Sequence, residues 1–370
     1  MKLITNMNPI LKRPTDEAIW NSVLKDALVT LVATCMLCTS TLHAQTDIVY
    51  VRENGRNTQV KGKITDMTAD TVSINTKNGA ENVDAGKISK IKFSGEPSQV
   101  ERARKSLESG RYDDCLKELD KIKKATNSQR IKSEIEFLRS YANAQKALRG
   151  DNDVTAQQAG SSINQFVKNN QSSHHFYRAS ESLGQLFLAI GKLQLAEKEF
   201  TKLTKSTSAS MQMRGAFQAG QVQLMQNNLS AAKASMESIK SMPGNDDAAK
   251  QQKLIAECKL AKIAALGGDP ANAIASVQKI IAQNDSNNAV LFAHAYNALG
   301  QCYLKSDRLK PASRAFLRTH LLFANDSDAH AEALYNLALI WPKLNHNDRA
   351  NEMRQTLKSR YRNSYWASKL

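Results

Sequence analysis

The stretch LGQCYLKSDRLKPASRAF, residues 299–316, decides the fold. A Leu-Gly pair opens it, an Ala-x-x-x-Phe phrase closes it, and the turn-like Ser306-Asp307-Arg308 lies between. Gly300 precedes Ala312 by twelve residues, and in LGQLFLAIGKLQLAEKEF, residues 183–200, Gly184 precedes Ala196 by the same interval. The interval returns from Gly220 to Ala232, Ala261 to Ala273, Ala338 to Ala350 and Ala103 to Cys115. The markers Gly184, Gly220, Ala261, Gly300 and Ala338 follow one another at 36 to 41 residues. With apolar residues at helical spacing from Ser98 onward, this period predicts an array of helix–turn–helix units. Small residues at the markers let two helices approach closely. One pair cannot bury its apolar stripe alone, so neighbouring pairs must stack.

Tyr296, Leu299, Gly300, Tyr303, Ala312 and Phe316 resemble the tetratricopeptide repeat, whose pattern is W-x-x-L-G-x-x-Y followed by A-x-x-x-F. Leu183, Gly184, Phe187, Ala196 and Phe200 resemble it as well. Leu334, Leu337, Ala338, Trp341 and Ala350 keep the pattern but place Arg354 where the family has Phe, and residues 131–170 match by helix pairing around Gly150-Asp151-Asn152-Asp153. The array is expected over residues 98–358, in about seven pairs, with 359–370 as a helix end or tail. Breaks are expected near 150, 191, 228, 268, 307 and 346. The long repeats resemble those of exported bacterial arrays found in envelope assembly factors.

The resemblance implies a mainly α fold, an α-α superhelix whose first helices line a groove for peptides or extended partners. By register, the groove positions are Arg178, Gln185, Arg214, Gln221, Lys262, Asn297, Gln301 and Lys305. Arg178 and Arg214 read as matched exposed rungs, suited to carboxylates, and Gln185 and Gln221 as rungs suited to peptide amides. The repeat-packing positions are Leu183, Gly184, Ala196, Phe200, Gly220, Ala232, Ala273, Leu299, Gly300, Tyr303, Ala312 and Phe316.

Residues 45–95 have a different period. DIVYV, QVKGKITDM, DTVSINTK, ENVDA and KISKIKF alternate β-branched with polar residues, and Asn54-Gly55, Asn78-Gly79 and Ala85-Gly86 supply turns. Five short strands predict a small five-stranded β barrel-like domain that resembles the SH3-like and Sm-like barrels. It is expected to cap the first helix pair.

The first 44 residues carry Lys2, Lys12, Arg13 and Lys25, then the apolar ALVTLVATCMLC of residues 27–38, then Ala44 before Gln45. This order predicts a secretory signal, with an uncleaved anchor as the alternative. The uncharged run from Ala27 to Leu42 is shorter than the ~20 residues a bilayer requires. The net charge is +16, from 51 basic and 35 acidic residues interspersed along the chain. Cys35 and Cys38 lie in the export segment; Cys115, Cys258 and Cys302 are too scattered for a disulfide framework and are expected as buried thiols.

No nucleophile elbow, zinc-protease helix, phosphate loop or dinucleotide fingerprint is present, so no catalytic residue, cofactor or metal is assigned. The adjacent His174 and His175 are expected at a helix start on the surface, facing different ways rather than sharing one metal. The expected function is an exported, non-enzymatic scaffold in a bacterial envelope, binding a protein or peptide partner, acidic by charge complementarity, with no small-molecule substrate. Membrane contact is expected only through an N-terminal anchor. The alternative is a nucleic-acid-binding protein that uses a basic Sm-like barrel, for which Tyr50 and Phe93 are the aromatic residues in the predicted strands.

Overall fold

The computed structural model describes residues 46–53, 56–123, 127–150 and 154–370. The expected export segment 1–44, the expected Asn54-Gly55 turn and residues 151–153 lie outside them. Alternation of β-branched residues builds β1 (Asp47–Glu53), β2 (Arg56–Met67), β3 (Thr71–Thr76), β4 (Gly79–Asp84) and β5 (Ile88–Lys92). All pair antiparallel, in the order β4-β3-β2-β1-β5. The long β2 serves two partners, pairing with β1 over Arg56–Gly62 and with β3 over Lys63–Met67. The outer strands β4 and β5 do not pair, so the sheet stays open instead of closing into the expected barrel.

At Ser98 the period changes and helices begin. In order they are α1 (Ser98–Glu108), α2 (Tyr112–Asp120), α3 (Gln129–Arg149), α4 (Ala156–Asn169), α5 (Phe176–Ala189), α6 (Leu193–Leu203) and α7 (Ala209–Met225). Then follow α8 (Leu229–Ser241), α9 (Asp247–Leu266), α10 (Pro270–Gln283), α11 (Ala289–Lys305), α12 (Leu309–Leu322), α13 (Ser327–Lys343) and α14 (Asn347–Arg360). Successive helices form seven pairs among the described residues.

One backbone device closes every pair. Gly110, Gly150, Gly191, Asn227, Gly268, Asp307 and Asn345 all have positive φ, and each lies between the two helices of its pair. Glycine takes this conformation without a Cβ clash, and Asn and Asp tolerate it best among the rest. In six of these turns the next amide reaches back five residues: Arg111 to the Ser106 carbonyl, Lys192 to Phe187, Asn228 to Gln223, Asp269 to Ala264, Arg308 to Tyr303 and His346 to Trp341. These bonds satisfy carbonyls that the helix end leaves open and fix the reversal.

Leu183, Ala196, Phe200, Ala232, Ala273, Leu299, Ala312 and Phe316 are buried, and the Tyr303 hydroxyl accepts from Gln278 Nε2 at 3.2 Å. A Cβ on Gly184 would stand 2.5 Å from the Phe200 ring. On Gly220 it would meet the flexible Met236 Cε at 2.6 Å, a more yielding neighbour.

The open face of the sheet is covered by the array. Val49, Ile64, Val72, Ile74 and Ile91 pack with Ile131 and Ile135 of α3, which explains why no barrel closure is required. Arg130 donates to the Ile64 carbonyl at 2.8 Å, and Lys90 pairs with Glu101 at 2.9 Å. Asp70 accepts from Tyr177 (3.1 Å), Ser206 Oγ (2.8 Å) and the Thr207 amide (2.8 Å). The sheet therefore lies across three pairs and the α6–α7 loop, a wider footprint than a cap on the first pair. No helix among the described residues is long and apolar enough to cross a membrane.

Candidate functional site

The first helices of five pairs, α3, α5, α7, α11 and α13, line a shared cavity of about 580 Å³. Gln145 of α3, Gln185 of α5, and Gln218 and Gln221 of α7 line it, with His294 of α11 and Asp326 and Asp328 at the start of α13. A glutamine amide offers both a donor and an acceptor, the complement of a peptide backbone. Three successive first helices therefore present four peptide-like groups, two of them on α7.

The opposite wall comes from the chain's own end. Beyond α14, Tyr361, Asn363, Ser364 and Tyr365 border the cavity. Asn363 Nδ2 donates to the Ala147 carbonyl of α3, and Trp366 Nε1 donates to Asp328 at 3.2 Å. The Trp366 ring packs on Tyr335 at 5.4 Å and lies 5.8 Å from Lys262 Nζ. The tail thus bridges the second and seventh pairs.

Among the groove positions, Gln185 and Gln221 border the cavity and Lys305 is exposed. The others are engaged within the chain. Lys262 pairs with the buried Glu332, which Lys259 also approaches at 3.7 Å; burial would raise the Glu332 carboxyl, but the two lysines hold it at about 2. Asn297 Nδ2 donates to the Ala329 carbonyl (2.7 Å) and Gln301 Nε2 to Asn336 (2.7 Å). Arg178 and Arg214, expected as matched rungs, have different surroundings: Arg178 lies over the Tyr141 ring at 4.4 Å, whereas Arg214 is turned onto Glu181. These contacts join first helices to one another, neighbouring ones except for Lys262–Glu332, which spans from α9 to α13, and sequence spacing alone does not separate them from contacts to a partner.

A second constellation departs from the sequence reading. His174 and His175 do sit at a helix start, where His175 is the N-cap residue of α5, but their rings lie 3.8 Å apart rather than facing different ways. The expected surface placement is wrong: His175 is buried, stacked on Phe137 at 3.6 Å, and both His174 ring nitrogens are shut from solvent without a hydrogen-bond partner. His175 Nε2 meets Glu134 Oε2 of α3 at 2.9 Å, and Arg104 of α1 bonds Glu134 Oε1 at 3.0 Å. Arg104 is shared with Glu96 (3.2 Å) and Glu101 (2.7 Å). Burial lowers both histidines, keeping them neutral; it would raise Glu134, but His175 and Arg104 hold that carboxyl far below its usual range. One ligand atom from each of Glu134, His174 and His175 lies within 4.8 Å of the other two. The signal was hidden because the carboxylate stands forty residues upstream and the histidines have no helical i, i+4 spacing.

Elsewhere, burial pushes the Cys115 and Cys258 thiols up to about 12 and Cys302 to about 11, which leaves them unreactive. On the sheet, Phe93 is buried and Tyr50 carries Lys90 over its ring at 4.6 Å.

No family model matches the sequence, and no curated protein matches it. Among solved structures, a tetratricopeptide repeat protein from Parabacteroides merdae ATCC 43184 aligns with a TM-score of 0.52 at 11% identity, covering 71% of this chain and 92% of that one. This chain folds as a tetratricopeptide-type superhelix. A Rap protein complexed with Competence and Sporulation Factor aligns at a TM-score of 0.49 and 12% identity, covering 74% of this chain and 77% of that one.

Proposed function

We propose that this protein is a non-enzymatic scaffold that binds an extended peptide or protein segment in the groove of its superhelix. The observation that carries the reading is the set of Gln145, Gln185 and Gln221, one on each of three successive first helices and all facing one cavity. Side-chain amides in register can bond a partner's backbone repeatedly, while neighbouring helices keep them in place. Arg149 and Arg360 border the cavity together with Asp326 and Asp328, so its wall carries both signs, and the two arginines are where an acidic side chain of the partner would bind. An exported, envelope location is part of the proposal and rests on the charged start, the apolar run and Ala44. For the alternative, the two strand aromatics offer little stacking surface to a nucleic acid.

The test is capture of partners by crosslinking and affinity purification from envelope fractions. The Gln185→Ala/Gln221→Ala variant should lose the captured partner while keeping its helical circular dichroism. Undiminished capture by that variant contradicts the groove reading, and a native protein that retains residues 1–44 in the cytoplasm contradicts export.

A further inference from the structure

A buried imidazole with both nitrogens unpartnered is costly, since each desolvated polar atom has given up water for nothing. His174 is in that position, and it borders a cavity of about 250 Å³ shared with Asp66, Asn169, Ser172, Ser173 and Glu134. Beside it stand a second neutral imidazole and a carboxylate held in its ionised form. A lone pair on each imidazole and one on a carboxylate oxygen is the donor set that divalent metals of the zinc type accept.

We propose that Glu134, His174 and His175 hold a divalent transition-metal ion of the zinc class, with water from the adjoining cavity completing the coordination. Glu134 would bind through Oε2, because Oε1 is engaged by Arg104. His175 would carry its proton on Nδ1 and turn the Nε2 lone pair from Glu134 to the ion, so no net proton need leave. Arg104 then acts as the outer partner that orients the ligating carboxylate, a role such sites commonly require. The ion would join the turn before α5 to the start of α3, beneath the edge of the sheet formed by Asp66 and Met67. The cavity leaves one position open to exchange.

The full chain, without a histidine tag and stripped by chelator, should take up one equivalent of Zn2+ in calorimetric titration. Loaded with Co2+, it should show the visible ligand-field absorption of a low-coordinate site. His174→Ala should weaken Zn2+ binding by on the order of a hundredfold, the loss expected on removing one of three ligands. His320→Ala should bind Zn2+ as the unaltered chain does, because the His320–His330 pair (2.7 Å) lies elsewhere. In metal-free buffer His174→Ala should melt no lower than the unaltered chain, since an unsatisfied buried group is gone. Added Zn2+ should raise the melting temperature of the unaltered chain alone. Should the alanine variant fail to fold, His174→Gln takes its place. Failure of the unaltered chain to bind Zn2+ stoichiometrically, or undiminished binding by the folded His174 variant, overturns the proposal.

Discussion

Gly300 and Phe316 pack so closely that a Cβ on the glycine would stand 2.6 Å from the phenylalanine ring. The ring is fully buried and cannot swing into solvent. Gly300→Ala should therefore lower stability by about 1–3 kcal/mol, and Gly300→Leu by about 2–4 kcal/mol, through overpacking. Thermal and denaturant melts check this. Gly300→Ala/Phe316→Leu should recover part of the loss, because the double variant removes the obstructing ring edge.

The charge pair between Glu332 and Lys262 is a separate test of the stacked helices. Glu332 is buried against Lys259 and Lys262 and also meets Asn297 Nδ2 at 3.4 Å. Glu332→Ala strands two buried ammonium groups and should cost about 3–5 kcal/mol. Glu332→Gln, which still accepts hydrogen bonds, should cost less, and chemical denaturation of the two variants gives the difference.

Acid should loosen the tail. His330 is buried beside His320 (2.7 Å) and the Tyr361 hydroxyl (2.6 Å), with Arg360 close by. Burial first, then His320 and Arg360, lower its pKa from 6.5 to about 4. Between those values the unfolded chain binds more protons than the folded one, so stability falls as pH drops through that window and is fully present above it. The loss should be measurable by pH 4, though smaller than the full shift implies because solvent and the neighbouring His320 share it. His330→Gln should reduce the slope of the stability profile between pH 6.5 and 4, leaving the share of the other buried histidines; an unchanged slope contradicts this assignment.

The fold was legible in the sequence because its constraints are local. A small residue must face a large one sixteen positions on, and the turn needs a left-handed residue, which Gly191, Gly268, Asp307 and Asn345 reveal by type. The strands were legible for the same reason, while closure was not: Ile131 and Ile135 cover the sheet from outside its own segment. Long-range pairing also hid the fate of several groove candidates. Lys262 reads as a free cation until Glu332, seventy residues later, is placed beside it. His174 and His175 read as surface residues because nothing local announces that Glu134 and Phe137 enclose them.

The tail borders the proposed binding groove, and on that reading it should compete with a partner. Asn363 and Trp366 fasten it to α3 and to the start of α13, and Tyr361 to Tyr365 wall the cavity. Deleting residues 363–370 should lower the melting temperature, since Trp366 and Leu370 pack on the last pair, yet raise partner capture several-fold. Side-by-side pull-downs at equal protein concentration read the outcome. Capture that falls with the deletion would mean the tail forms part of the binding surface.

The central claim is that partners lie in the groove and not on the outer helices, and site-directed photocrosslinking in cells tests it most directly. A photoreactive residue at Gln185, on the cavity wall, should trap a discrete partner, while the same residue at the exposed Lys198 on α6 should trap none. Crosslinks that arise from position 198 but not from 185 would contradict the account.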